Sequence, residues 1–408
     1  MDTATTVASG AAGRSSRGKD QILWGEGVWK ALDHAVHHEM MRDRIATKFL
    51  PNVHVNKKQT TVPSDVVNVP AAGAADPALS VDEAAVKRVN EFWVLWKETP
   101  AQVEEESHID AAASHPTAST PPPTVPHTEA ATSPTPILEH TTTSHHGRAP
   151  EHSHRASTAV SLAMRSANVL AQGEDLIIFN GANAVVNSAL FGGGIVQTLD
   201  PNLATNLDNG LLNIDPNGDI KLPQSQVVVV RPSAAGVGGA PPAYRENTLN
   251  AVASAFSILQ GLGHYEHYAL ALNTIPYADL HQALPTTLIE PVEPISHLIK
   301  AGIYGSGTLP PFAPGAAGNS GLPVTLQGVK LNALATPISG KVLYTGGLFC
   351  LSGNTMDLVR GRMEEHLDVV VTFQQKDVQE NSRFRTIERI ALRLKDVTAV
   401  VLFLFMDK

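Results

Sequence analysis

Residues 157–181 read STAVSLAMRSANVLAQGEDLIIFNG. Val160, Ala163, Met164, Ala167, Leu170 and Ala171 recur at steps of three and four, which places them on one apolar face of a helix. Ser157 stands where an N-cap side chain would satisfy the first free amides, and Gly181 offers a stop. Between them, Leu176 to Phe179 extend the apolar surface. Periodicity alone makes this an ordinary core helix. What it belongs to is decided by the segments around it.

The chain has 408 residues, enough for two or more compact units. Its charged fraction is 17% against 43% hydrophobic, so most of it can fold. The net charge of −9 argues against a protein whose main task is coating nucleic acid, which needs a basic excess. Cys350 is the only cysteine, so no internal disulfide is possible and a reducing compartment is the simple expectation. Cys350 lies between Phe349 and Leu351 and reads as a small buried residue. Residues 1–23 are small and polar, with no apolar signal-peptide core, and read as disordered. The longest apolar run, 397–405, is too short for a membrane helix and suits a buried strand.

Upstream, residues 24–50 form a second helical pattern, with Val28, Trp29, Leu32, Val36, Met40 and Ile45 on one stripe and Pro51 as its end. His34 and His38 share the i,i+4 spacing of metal-binding helices, yet no acidic partner of a known motif accompanies them, and they read as a solvated face. Residues 89–96 (VNEFWVLW) form a nearly continuous apolar strand, which must be covered on both sides. A partner subunit is the expected supplier of that cover. From 107 to 157 the composition turns to Pro, Thr, Ser and Ala, with eight of the seventeen histidines. Such a tract is a low-complexity insertion, whose histidines are a compositional hint only.

Beyond 181 the chain is rich in loops to about 242, with Asp215-Pro-Asn-Gly218 as a turn and one clear strand at 227–230. Helices at 245–260, 277–284 and 295–301 then mix with strands at 268–273, 341–345, 348–352, 369–373, 384–394 and 398–405. The mixture lacks a regular βαβ alternation, so the class is α+β. No GxSxG, HExxH or CxxC occurs, and His264 and His267 read as surface residues. The chain therefore reads as no enzyme, with no cofactor and no metal site.

In order, these segments resemble the encapsulin (linocin-like) family of shell proteins, which have the HK97-like phage-capsid fold. The resemblance rests on Trp29, Asp33, Lys48 and Phe49; on Ala171, Glu174, Asp175, Ile178, Phe179 and Gly181 as an A..ED..IF.G pattern; on the run His264 to Asn273; on Gly302-Ile303-Tyr304; and on Met356 to Gly361 with Ile387 to Phe403. It covers about half the chain, which is longer than the family usually is, mainly at 107–155 and 185–243. It implies a lumen-facing helix at 24–50, an E-loop at 56–106, a Pro/His-rich insertion at 107–157, a P-domain of 158–185 with 359–408, a loop-rich insertion at 186–242 and an A-domain at 243–358. Trp29, Leu32, Val36 and Met40 are then candidates for lining a cargo-docking groove, or equally for seating the helix on its own domain. Phe92, Trp93, Leu95 and Trp96 are candidates for E-loop contact with a neighbouring subunit.

The function implied is a self-assembling, icosahedral, virus-like homo-oligomer in the bacterial cytoplasm. It would enclose a cargo enzyme of peroxidase or ferritin-like type, carried in by a targeting peptide, and admit small solutes through pores. The alternatives are a phage or prophage major capsid protein that packages DNA, and a metal-binding protein that uses the His-rich tract.

Overall fold

The apolar stripe quoted first becomes the longest helix of a computed structural model of the chain. The structure describes residue 18, 21–22, 24–68, 80–82, 85–104, 158–233, 243–284, 288–309, 322–323, 341–364 and 367–407. The expected disordered N-terminus lies almost wholly outside these residues, and the Pro/His-rich insertion lies entirely outside them.

In chain order, helix α1 (Glu26–Asp43) is followed by a single 3-10 turn and then by the strands β1 (Asn52–Val55), β2 (Thr61–Pro63), β3 (Val66–Asn68), β4 (Ser80–Asp82), β5 (Val86–Arg88) and β6 (Asn90–Glu98). Next come α2 (Thr158–Asn180), β7 (Val196–Thr198), β8 (Val227–Val230), α3 (Arg245–Gly261), β9 (Tyr268–Asn273) and β10 (Ile303–Ser306). The chain closes with β11 (Leu322–Pro323), β12 (Lys341–Cys350), β13 (Met356–Gly361), β14 (Val369–Lys376), β15 (Ser382–Leu394) and β16 (Val400–Met406).

Two sheets carry the body. The first runs β1-β13-β15-β6-β7, with β14 also on β15. The second runs β10-β9-β12-β16-β8, with β11 on β12. Its inner strand β16, between β12 and β8, is buried at every position, as the apolar run 397–405 led one to expect. The strands divide differently from the expected domain ranges. β6 belongs to the first sheet rather than to a projecting loop, and β16 leaves β13–β15 to join the second sheet. Residues 341–350 form one strand where two are expected.

Helices α1 and α2 cover the first sheet. In α2 the small residues Ala159, Ala163, Ala167 and Ala171 are fully buried, which lets α1 approach closely. Gly181 follows α2 at φ +53°, and a Cβ there would collide with the backbone of Asp208 and Gly210. Only glycine ends the helix this way.

β15 displays the two-residue period of a strand most clearly. Phe384, Thr386, Glu388 and Ile390 point toward the helices and are buried. The opposite face carries Arg385, Ile387, Arg389, Ala391 and Arg393.

Outside both sheets, β2 pairs with β5 and β3 with β4, all antiparallel. Together they form a two-stranded arm.

Candidate functional site

Two places gather chemistry: the junction where α1 meets α2 and the first sheet, and the root of the arm.

At the junction α1 ends at Arg44, whose extended backbone (φ −62°, ψ 132°) breaks the helix. Its guanidinium turns inward. Arg44 Nε lies 2.6 Å from Glu174 Oε2 and its Nη2 2.7 Å from Glu388 Oε2. Arg360 pairs with Glu174 as well and stands 3.7 Å from Glu388. All four side chains are at most 3% exposed. Two cations thus neutralise two anions in a dry site, the condition under which buried charges are tolerated. Burial presses both carboxyls toward the neutral form. For Glu174 the guanidinium groups of Arg360 and Arg44 outweigh it and hold the group below the usual range. Glu388 meets burial plus the charge of Glu174 and is pushed well above that range.

Next to this quartet, Asp175 accepts from the amides of Ile45 (2.9 Å) and Ala46 (2.9 Å), the first free donors after α1. Burial is the main reason its carboxyl is pushed up to about 7. The two amides work against the rise and the charge of Glu174 adds to it. Glu174 and Asp175, noted in the sequence only as part of a pattern, thus tie α2 to the end of α1. Asp175 also borders an open cavity of about 540 Å³ lined by Asp43, Ile45, Leu176, Leu190 and Thr308 among others.

The four cargo-groove candidates do not line a surface. Trp29 is 1% exposed, and Leu32, Val36 and Met40 are fully buried in the main core. The stripe seats α1 on its own sheet and helix. Trp24 adds to that seal by stacking on Phe384 at 4.8 Å.

The E-loop candidates are corrected in the same sense. Phe92 and Trp96 face the helices, with Trp96 stacked 4.4 Å from Phe384. Trp93 and Leu95 face the other way, into a cluster with Met363, Val370, Ile387 and Leu367. Trp93 also donates to Gln197 Oε1 at 3.2 Å and lies under the guanidinium of Arg385. β6 is covered on both faces, as its apolar run requires, but its own chain supplies the cover.

The arm is held at its root by β15. Arg389 donates to the carbonyls of Gln59 (2.7 Å) and Lys57, and Arg393 to that of Pro63 (2.9 Å). Arg393 and Lys395 also pair with buried Asp357 at 2.6 and 2.9 Å. Val62 anchors the root in a small cluster with Val89, Val359 and Ala391. Val86, paired with Pro63, and Val81, paired with Val67, nevertheless stay 59% and 51% exposed. The sequence reading missed these arginines, although their spacing of four on a strand, Arg385, Arg389 and Arg393, already puts them on one face.

Cys350 is fully buried, as expected, and its Sγ lies 3.0 Å from the carbonyl oxygen of Glu266. His264 departs from its expected surface position. It is 9% exposed and bonded to Thr398 Oγ1 at 2.9 Å, because the turn after α3 brings it against Thr398 and Asp396 in the turn ahead of β16. Among the described residues no group of three or more His, Cys, Asp or Glu side chains converges as a metal site. Among the same residues no helix is long and apolar enough to cross a membrane.

No protein-family model matches the sequence, and the comparison with curated proteins returns no match. Solved structures of similar shape are found. The chain is similar to the virus-like particle protein of Pyrococcus furiosus at 11% identity and a TM-score of 0.46, over 92% of this chain and 99% of that one. It is similar to a cyanophage capsid protein at 12% identity and a TM-score of 0.42, over 90% and 89%. A third is the SrpI encapsulin of Synechococcus elongatus at 7% identity and a TM-score of 0.39, over 89% and 88%. The mixture of helices and strands without βαβ alternation is the α+β class expected from the sequence.

Proposed function

We propose that this chain is the subunit of a closed protein shell of the encapsulin type, built from many copies of itself. The observation that carries this reading is the arm. A two-stranded ribbon is marginal in water, and this one leaves both sheets with Val81 and Val86 uncovered. A neighbouring copy is the natural cover. The arginines of β15 fix the angle at which the arm leaves the body, which repeated assembly demands.

On this reading the shell encloses a cargo enzyme of the peroxidase or ferritin-like type, in a bacterial cytoplasm, and small solutes pass through its pores. With Trp29, Leu32, Val36 and Met40 committed to the core, a targeting peptide would dock elsewhere. The open cavity at the end of α1 has a size suited to one short segment, and Ile45, Leu176 and Leu190 offer apolar contacts. On this reading catalysis belongs to the cargo; among the described residues no nucleophile, base and orienting group share an open site.

The alternative is a capsid subunit that packages DNA. The net charge of −9 speaks against it. Purified particles distinguish the two. Co-purified protein without nuclease-resistant nucleic acid supports the enclosing shell, and protected DNA of uniform length supports the capsid.

A further inference from the structure

The solvent face of α1 carries three donors that the core does not use. His34 and His38 are exposed, and Met41 is 57% exposed, a large value for methionine. By helix geometry His38 lies about 6 Å along the axis from His34 and roughly 40° round it, and Met41 about 4.5 Å further and roughly 60° back. All three lie on one narrow stripe, opposite buried Leu32, Val36 and Met40.

The charges flanking the stripe are already paired. Lys30 Nζ lies 3.0 Å from Glu26 Oε1. Arg42 is held by Asp43 at 2.9 Å and by Glu39. Among the described residues no hydrogen bond or ion pair engages the imidazole of His34 or His38.

We propose that His34 and His38, with Met41 as third ligand, bind a cuprous ion on the face of α1. Two imidazoles at i and i+4 on a rigid helix can chelate one metal ion without rearranging the backbone. The third donor selects among metals. A thioether is a soft, uncharged ligand that favours Cu(I), whereas zinc sites take thiolate, imidazole or carboxylate. The ion would sit within a single chain, so the site does not depend on assembly. If copies close into a shell with α1 inward, the site would repeat around the lumen.

The test is anaerobic titration of the full-length protein with Cu(I) against a chromogenic copper chelator, compared across four single variants. His34, His38 and Met41 are exposed on the outer side of α1, where substitutions change stability little, and His37 is half-buried beside them. Competition against the chelator removes the weaker background of the other histidines. His34→Ala and His38→Ala are each expected to lose one chelator-resistant copper per chain, while His37→Ala keeps it. Met41→Leu is expected to weaken Cu(I) at least tenfold and to leave Zn(II) binding unchanged. Wild-type retention of copper in His34→Ala or His38→Ala would overturn the site, as would an equal loss in His37→Ala. Unaltered Cu(I) affinity in Met41→Leu, or equal weakening of both metals, would overturn the copper assignment.

Discussion

Strand β6 and the arm that precedes it are neighbours in sequence and opposites in physics. β6 is the most apolar stretch of its region, yet it sits between β15 and β7 with both faces covered by its own chain. The arm is short, polar at many positions and held by arginines, yet it keeps exposed valines. Hydrophobicity marks what must be buried but does not say which chain buries it. On the proposed function, the surface left for a second copy is therefore the modest one, because a strongly apolar strand is consumed in folding.

Breaking the body should be costly, beginning with the buried quartet. Arg360→Leu leaves Glu174 and Glu388 facing a single guanidinium. Removing one partner of a buried ion pair typically destabilises by about 3–5 kcal/mol. A fall of that size in denaturant unfolding is expected, and a change under about 1 kcal/mol would show that the quartet does not lock α1 to the sheet.

Beside the quartet, Asp175 makes stability depend on pH. Its carboxyl is pushed up to about 7 in the fold, from an ordinary value of 3.8, so folding favours its protonated form. Its contribution is present in full below the ordinary value and is lost as pH rises through about 7. The linkage amounts to about 4 kcal/mol at most over that window. Unfolding free energy measured from pH 4 to 7.5 should decline more steeply in the wild type than in Asp175→Asn. Parallel curves would remove Asp175 as the cause.

Within α1, Leu32→Ala should lower stability by about 2–5 kcal/mol, the usual range for a buried leucine. If Leu32 instead lined a docking groove, the variant would keep its stability and lose only cargo. The smallest expected effect on the body lies in the arm, where Val81→Asp with Val86→Asp should change subunit stability by no more than about 0.5 kcal/mol per site. The same pair should abolish assembly, and the contrast between the two readouts separates the arm from β6.

Much of the fold is legible in the sequence. The period of α2, its glycine stop and the short apolar run of β16 each follow from local pattern. Two features resist such reading. One is the identity of a covering surface: nothing near Trp93 and Leu95 announces that Met363 and Val370, far along the chain, will meet them. The other is the ion quartet, which joins residues 44, 174, 360 and 388 from the end of α1, α2, β13 and β15, four elements distant in sequence. Glu174 and Glu388 stand out beforehand only as charges inside an otherwise apolar helix and strand face, which signals a partner without naming it. The arm-root arginines were open to inference from the strand period, but their target carbonyls were not.

The central claim, that copies of this chain close on one another through the arm, is tested most directly by sedimentation velocity of the purified protein beside its Val81→Asp/Val86→Asp variant. The account predicts uniform megadalton particles for the wild type and a folded small species for the variant. A wild type that sediments as a single 43.3 kDa chain at every concentration, or a variant that assembles as well as the wild type, would contradict it.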